Sequence, residues 1–313
     1  MRPWIIIIFM GLIIGSFGIA PLVFSVGTGK VRSSPLAGSW YPADPEELRK
    51  MLINYLEKAK IPKIKGRILA LISPHAGYIY SGQAAAHGFK TLMEKDIHRV
   101  IIIGPSHYVG FQGICVSSYD HYQTPLGKVP VEKRVGEKLS HHNLFVFKPE
   151  IEAREHSLEM EIPFLQIALK DFKIVPLIVG SIKEKDYIEV ANLLRPFISD
   201  KTLIVVSSDF THYGRRFGYL PFTENIKDNL KRLDLKAVDY IIKKDLNGYQ
   251  KYLRETGITI CGRVPIGILL ELLPAEAEGQ LLNYYTSGDL LSDYSNSVSY
   301  VSLVFKMPIS NHN

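Results

Sequence analysis

Short runs of aliphatic residues, each closed by proline, glycine or serine, mark the middle of the chain. Three of these runs end in reactive side chains: His75, His107, and Asp209 together with His212. Each run is too short for a helix, and its closing residues are typical of the end of a buried strand. Because ligands bind beyond the carboxyl ends of parallel strands in open α/β sheets, the pattern predicts one polar site that contains these side chains.

Helical spacing of apolar residues alternates with these strands. Asp44, Pro45 and the acidic residues after them predict a helix start. Further helices are predicted over 81–89, 132–139, 155–169 with a kink at Pro163, 186–197, 225–244 and 266–273, and further strands over 113–118, 144–147, 172–180, 281–285 and 298–305. We therefore expect a three-layer α/β sandwich, with a mixed, largely parallel central sheet and helices on both faces, as one domain over residues 30–313.

The amino-terminal segment has a different pattern. No charged side chain interrupts residues 3–29, and this run is long enough to cross a bilayer. It predicts a single-pass membrane anchor or signal-anchor over residues 1–29, hence a membrane location and the membrane as a partner; a cleaved secretory signal peptide is the alternative. Arg2 precedes the run and Lys30 and Arg32 follow it, so the positive-inside rule leaves the side of the folded part open.

Composition adds two constraints. Of the 313 residues, 46% are hydrophobic and 22% charged, which is the balance of a globular protein with a sizeable core. The formal net charge is +6, but lysine and arginine alternate with acidic residues instead of forming a block. We therefore expect no nucleic-acid partner.

The residues at the strand ends suggest two kinds of chemistry. His75 and His107 each follow a proline within two residues, which stiffens the backbone that aims them; the pattern leaves metal binding and a hydrogen-bonded structural pair equally open. Asp209 and His212 suit a proton donor or acceptor beside a ligand, or a carboxylate that orients an imidazole. The simpler alternative for Asp209 is a helix cap.

Two other groups carry candidate ligands. Cys261 precedes an apolar helix, whose amino terminus would lower the thiol pKa, so that a thiolate could bind a metal or act as a nucleophile. Glu155, His156 and Glu159 lie on about one helical turn, a spacing that suits either a metal-binding pair or helix capping. Cys115 is expected in a core strand, and a disulfide with Cys261 would be the default only in an oxidising compartment.

Seven ordered motifs resemble the Memo family, whose archaeal and bacterial members are called AmmeMemoRadiSam system protein B. The resemblance covers residues 32–305. Its motifs are Gly38-Ser39-Trp40-Tyr41, Pro74-His75-Ala76-Gly77-Tyr78, Gly104-Pro105-Ser106-His107, Glu155-His156-Ser157-Leu158-Glu159, Ser207-Ser208-Asp209-Phe210-Thr211-His212, Cys261-Gly262-Arg263 and Ser297-Val298-Ser299-Tyr300.

This resemblance implies a fold similar to that of class III extradiol dioxygenases, the non-haem iron enzymes that open catechol rings. It places the metal site on His75, His107 and Cys261, with His212 as the acid/base residue and Asp209 beside it. The enzymes use a carboxylate where this chain has a thiolate, which argues against ring opening. Iron or copper is the expected cofactor, with zinc as an alternative, and a metal-dependent oxidoreductase is the expected activity.

Two other functions follow from the same resemblance. A non-enzymatic binding module would use Trp40, Tyr78 and His156 to recognise an aromatic or phosphorylated group of a peptide. An accessory protein would instead act with a radical-SAM enzyme and an AMMECR-type partner protein.

Overall fold

A computed structural model describes residues 29–309. The strands are β1 (Val31–Arg32), β2 (Arg67–Ser73), β3 (Arg99–Pro105), β4 (Ile114–Val116), β5 (His121–Thr124), β6 (Gly127–Pro130), β7 (Phe145–Phe147), β8 (Lys173–Val179), β9 (Thr202–Ser207), β10 (His212–Gly214), β11 (Glu278–Thr286) and β12 (Asn296–Met307). The helices are α1 (Pro45–Lys58), α2 (Tyr78–Lys90), α3 (Lys133–Leu139), α4 (Pro149–Glu152), α5 (Ile162–Ala168), α6 (Tyr187–Leu194), α7 (Ile226–Ile242), α8 (Leu246–Thr256), α9 (Arg263–Leu272) and α10 (Ser287–Leu291).

The main sheet has the order β10-β12-β2-β9-β3-β8-β4-β7, with β11 paired to β12. Its centre, β2-β9-β3-β8, is parallel, whereas β12 pairs with β2 and β4 pairs with β8 in antiparallel fashion. The predicted mixed sheet is confirmed: four strands in its centre and the edge pair β4-β7 are parallel, and the other pairs are antiparallel. A separate three-stranded sheet has the order β1-β5-β6.

Two apolar layers cover the faces of the main sheet, as predicted. One contains the buried faces of α1, α2 and α5, and the other contains those of α3 and α6 to α9. Small residues bring α2 close to its neighbours: a Cβ on Gly82 would lie 2.7 Å from the Tyr55 ring of α1, and one on Gly88 would lie 2.9 Å from Ser302 Oγ of β12. The small-residue pattern of this helix therefore has a packing cause.

The start of α1 matches its sequence signal, whereas the predicted helix over 155–169 was wrong in its first half. The Asp44 side chain accepts hydrogen bonds from the backbone of Glu46 and Glu47, as an N-cap does. Residues 155–158 are not helical; a short 3₁₀ turn, Glu159–Glu161, precedes α5. Pro163 lies in the first turn of α5, where it needs no hydrogen-bond donor, so it marks the helix start and no kink.

The membrane prediction, with its location and membrane partner, was wrong. Over residues 29–309, no helix has both the length and the apolar character needed to cross a bilayer. The longest one, α7, has 17 residues and carries charges along its length, whereas crossing takes roughly 20 mainly apolar residues. The predicted anchor, residues 1–29, lies outside the described residues except for Gly29.

The two cysteines are not bonded to each other. Cys115 lies in the core strand β4, as predicted, and burial raises the pKa of its thiol to about 12. It therefore behaves as a small apolar residue.

Candidate metal centre

The parallel centre of the sheet brings the predicted strand ends together. Strand β9 lies between β2 and β3, so the residues that follow these three strands enter one crevice. The carboxylate of Asp209, after β9, accepts a hydrogen bond from the backbone N–H of His75 at 2.9 Å. The rings of His75 and His107 lie edge to face with centroids 5.0 Å apart. Three separate runs in the sequence thus supply one polar site.

Cys261 reaches the same crevice from the turn before α9. Its Sγ atom lies 3.3 Å from His75 Nε2 and accepts the Asp209 backbone N–H at 3.2 Å. The next residue must be glycine, because a Cβ on Gly262 would lie 2.4 Å from Ser208 Cβ. One ligand atom each from His75, His107 and Cys261 lies within 4.8 Å of the other two. The site therefore offers two nitrogens and one sulfur to a single ion.

Ser207 fixes the tautomer of His75. Its hydroxyl oxygen lies 2.7 Å from His75 Nδ1, 2.6 Å from the Ser157 carbonyl oxygen and 2.7 Å from Glu161 Oε1. The hydroxyl has one proton, and the carbonyl can only accept it, so His75 Nδ1 and Glu161 must both donate to Ser207. Burial raises the pKa of Glu161 well above its usual range, which keeps it a protonated acid. The lone pair of His75 therefore lies on Nε2, beside the sulfur.

Glu155 fixes the tautomer of His107. Its carboxylate accepts the His107 Nδ1 proton at 2.9 Å and the His107 backbone N–H at 2.6 Å, and it also accepts the backbone N–H groups of His156 and Ser157. Burial opposes the charge of Glu155, but these bonds and the two imidazoles outweigh it and lower the pKa to about 2. Glu155 is thus an ionised carboxylate that leaves His107 Nε2 free for a ligand.

Glu159 has a different role from Glu155, although the sequence suggested a pair. Its carboxylate binds the buried guanidinium of Arg32 at 2.7 Å and the Tyr41 hydroxyl at 2.5 Å. Arg32 also donates to the carbonyl oxygens of Glu152 and Glu155, at 2.8 and 2.6 Å. Strand β1, through Arg32, therefore holds in place the loop that carries Glu155. Sequence reasoning missed Arg32 because only the fold shows the charge to be buried.

Burial favours the uncharged forms of His75, His156 and Cys261 in the metal-free protein. Burial, assisted by the neighbouring imidazoles, lowers the pKa of His75 well below its usual value, and it lowers that of His156 to about 4. Burial and the Asp209 carboxylate raise the pKa of the Cys261 thiol. The expected lowering by the α9 amino terminus was therefore wrong, because desolvation outweighs it. An ion that binds here displaces the thiol proton.

His212 lies at the edge of the crevice, in β10. Its Nδ1 atom is 2.9 Å from the Phe210 carbonyl oxygen and 3.1 Å from that of Thr259, so this nitrogen carries the proton and Nε2 has the lone pair. Within residues 29–309 the side chain of Asp209 forms no hydrogen bond with His212. Two carbonyl groups orient this imidazole.

A cleft of about 730 Å³ opens over the crevice and is lined by Trp40, His156 and the candidate ligand histidines. The Trp40 and His156 rings have centroids 4.7 Å apart. Tyr78 does not line the cleft: its side chain is buried in the core, with its hydroxyl bonded to the Met160 carbonyl oxygen, and Tyr80 lines the wall instead. Because α2 starts at residue 78, Tyr78 and Tyr80 are both helical and two positions apart, so their rings point to opposite sides of the helix.

Two further residues of the cleft were missed. Arg216 and Phe217 line it from the short turn after β10, and the Phe217 ring lies 5.2 Å from that of His212. The only sequence signal that these two residues belong to the site was their position, four and five residues after His212. A short 3₁₀ turn has no pattern that predicts its direction from sequence.

The residues present fit a metal ion. Two imidazoles and a thiol suit zinc, copper or iron, and each imidazole has its second nitrogen held by a protein group, as metal-binding histidines usually do. A second cluster, His107, Glu155 and His156, also has ligand atoms within 4.8 Å, but Glu155 is occupied by four N–H groups. The cluster with Cys261 is therefore the better candidate.

Comparison with known proteins adds an independent result. The family model described as Memo-like protein matches residues 32–304. The chain is 35% identical over 286 residues to Protein memo-1 homolog of Caenorhabditis elegans, covering 87% of this chain and 81% of that protein. It is 35% identical to Protein MEMO1 of Xenopus laevis over 286 residues, with 87% and 96% covered. The solved structure of an uncharacterized protein, JW3007 from Escherichia coli K12, is 13% identical with a TM-score of 0.46 over 76% of this chain and 99% of that one, too low a similarity to carry an argument.

Proposed function

The chain belongs to the Memo-like protein family, and on this premise we propose that it is a metal-dependent redox protein whose ion is held by His75, His107 and Cys261. The observation that carries the proposal is the convergence of one ligand atom from each residue within 4.8 Å. The support behind both histidines strengthens it, because Ser207 and Glu155 occupy the Nδ1 atoms and leave the Nε2 atoms available to an ion.

The donor set favours iron or copper, with zinc as the alternative. A thiolate is a softer ligand than the carboxylate of ring-opening dioxygenases, and imidazole with thiolate suits copper, zinc and thiolate-bound iron. Iron or copper bound here would supply one-electron redox chemistry; zinc would supply Lewis-acid chemistry only. The proposal therefore concerns electron transfer to a bound substrate and excludes catechol cleavage.

The other residues of the cleft would bind the substrate and move protons. His212 presents the unprotonated Nε2 to the cleft, so it can accept a proton while two carbonyls hold its Nδ1–H. Trp40 and Phe217 would cover an apolar or aromatic part of the substrate, and Arg216 would neutralise a negative group. Asp209 holds the backbone of His75 in place.

Elemental analysis of the full-length chain, prepared without oxygen or chelator, tests this function. We expect about one iron or copper ion per chain, and His75→Ala or Cys261→Ser should weaken metal binding about 100-fold or more, since losing even a supporting group costs 10–100-fold. His98→Ala is the matched control, because this exposed histidine lies outside the cleft and pairs with Asp96. Absence of a redox metal, or unchanged affinity in both ligand variants, would reject the function.

A binding module remains the second candidate, and the composition of the cleft supports it. An aromatic wall, Arg216 and four imidazoles could recognise an aromatic or phosphorylated group of a peptide without chemistry. Calorimetric titration of a tyrosine-phosphorylated peptide into metal-free and metal-loaded protein separates the candidates. Binding that needs Trp40 and Arg216 but ignores the metal would favour the module.

A further inference from the structure

Asp234 is a fully buried acidic residue of α7 that does not line the cleft. Among residues 29–309, no lysine, arginine or histidine forms an ion pair with it, and its hydrogen-bond partners are neutral hydroxyl and amide groups. Burying a carboxyl group without a cation is costly. The hydrogen bonds that Asp234 forms therefore need an explanation.

The carboxyl group of Asp234 holds Thr211, the residue before His212. Its Oδ1 atom accepts the Thr211 backbone N–H at 3.2 Å and lies 2.6 Å from the Thr211 hydroxyl oxygen. Its Oδ2 atom lies 3.0 Å from the Tyr284 hydroxyl of β11, which holds the other oxygen in place. Because a backbone N–H can only donate, Oδ1 is an acceptor whether or not the carboxyl group is protonated.

The Thr211 N–H and the Phe210 carbonyl belong to one peptide group. Residues 29–309 contain no cis peptide bond, and in a planar trans peptide the N–H and the C=O point in opposite directions. The bond from Thr211 to Asp234 therefore directs the Phe210 carbonyl away from α7. There its oxygen lies 2.9 Å from His212 Nδ1. The orientation of this peptide group thus decides whether Nδ1 meets this acceptor.

Strand β12 also holds this segment, through different backbone groups. The Phe210 N–H donates to the Ser299 carbonyl, and the Ser299 N–H donates to the Thr211 carbonyl, both at 2.9 Å. These bonds do not use the Thr211 N–H or the Phe210 carbonyl, which face Asp234 and His212. One rigid peptide group therefore links the carboxyl group of α7 to the imidazole at the cleft.

We propose that Asp234 is a positioning residue that keeps His212 in the tautomer with the proton on Nδ1 and the lone pair on Nε2. It acts through the peptide group between Phe210 and Thr211. The use of this lone pair as a proton acceptor rests on the proposed function. The tautomer itself needs neither a metal nor a substrate.

Nitrogen NMR of the metal-free, full-length chain with isotopically labelled histidine tests the proposal. The signals distinguish a protonated from an unprotonated ring nitrogen, and His212→Gln identifies those of His212. Asp234→Leu removes the acceptor and should shift the tautomer ratio about fivefold toward Nε2–H, the effect of one net hydrogen bond. The shift is partial because the Thr259 carbonyl oxygen, 3.1 Å from Nδ1, remains as an acceptor.

Two further variants separate positioning from a general structural role. Asp234→Asn should keep the parent tautomer, since its amide oxygen can still accept the Thr211 N–H. Asp239→Asn is the matched control, because Asp239 is a surface residue of the same helix that pairs with lysines. The ring-nitrogen signals of His75 and His107 should stay unchanged in every variant, so that a wider rearrangement would be recognised.

The proposal is overturned if folded Asp234→Leu keeps the parent tautomer ratio, or if Asp234→Asn shifts the ratio as far as the leucine does. Asp234→Val is read in the same way if the leucine variant does not fold. A parent protein in which His212 carries its proton on Nε2 overturns the proposal whether or not any variant folds. Absence of a redox metal would reject the proposed function and leave these results unchanged.

Discussion

Glu155→Gln tests the electrostatic design of the candidate metal centre. In the folded protein the pKa of Glu155 is lowered from 4.5 to about 2. At 1.36 kcal/mol per pKa unit, this difference corresponds to about 3 kcal/mol of stability. A glutamine keeps the shape but loses the charge, and its amide nitrogen would face the N–H groups of His107.

The sign of the pH effect follows from the direction of the shift. Because the folded pKa is lowered, the stabilisation by Glu155 is fully present above the unfolded pKa near 4.5. It is lost as the pH falls toward about 2, where the folded protein also takes up the proton. The parent and the Glu155→Gln variant should therefore differ by about 3 kcal/mol at neutral pH, and the difference should shrink through this acidic range.

Urea unfolding at a series of pH values between 2 and 7 measures both free energies. Glu150→Gln is the matched control, because Glu150 is an exposed glutamate of α4 and its loss should change little at any pH. Metal affinity at neutral pH is the second readout and should fall about 10–100-fold in Glu155→Gln, since His107 loses its supporting group. Parallel stability curves for the parent and Glu155→Gln would refute the reasoning.

Three other predictions concern residues around the site. Ser207→Ala should weaken metal binding about 10–100-fold, whereas Glu161→Gln should nearly retain it, because the glutamine amide still donates to Ser207. Competition with a metal-binding dye measures both affinities. Equal losses in the two variants would contradict the tautomer assigned to His75. Arg32→Met should lower the free energy of unfolding by about 3–5 kcal/mol in urea, since it leaves buried carboxylates without a cation; a loss below about 1 kcal/mol would contradict this. Cys261 should react slowly with iodoacetamide at neutral pH in the metal-free protein, because burial raises its pKa, and rapid alkylation would show that the thiolate is already formed.

The strand pattern predicted the part of the site that depends on the sheet. Aliphatic runs that end at His75, His107 and Asp209 became three neighbouring parallel strands, and parallel strands place their carboxyl ends on one edge. Cys261 was placed near them only by the family resemblance, because its turn approaches from α9 and no local pattern shows where a turn will pack.

Side-chain direction was harder to predict than strand order. Tyr78 and Tyr80 differ by two positions, and a helix start three residues earlier than expected determined which ring reaches the cleft. Glu155 and Glu159 looked like one pair because a helix was predicted through both. The chain is not helical at Glu155, so the two carboxylates face different partners. The burial of Arg32 could not be predicted from the sequence either, because a two-residue strand is too short to show a periodic pattern.

The contacts of Arg32 set how far the amino-terminal end can be shortened while the support of the centre is kept. A truncation that begins at Val31 retains the guanidinium and its bonds to the 152–159 loop. A truncation that begins at Ser33 leaves the buried Glu159 carboxylate without its cation. It also releases the loop that carries Glu155, which orients His107. Expression boundaries, affinity tags and proteolytic trimming at this end can therefore disturb the candidate metal centre, although they lie more than forty residues before His75 in the sequence.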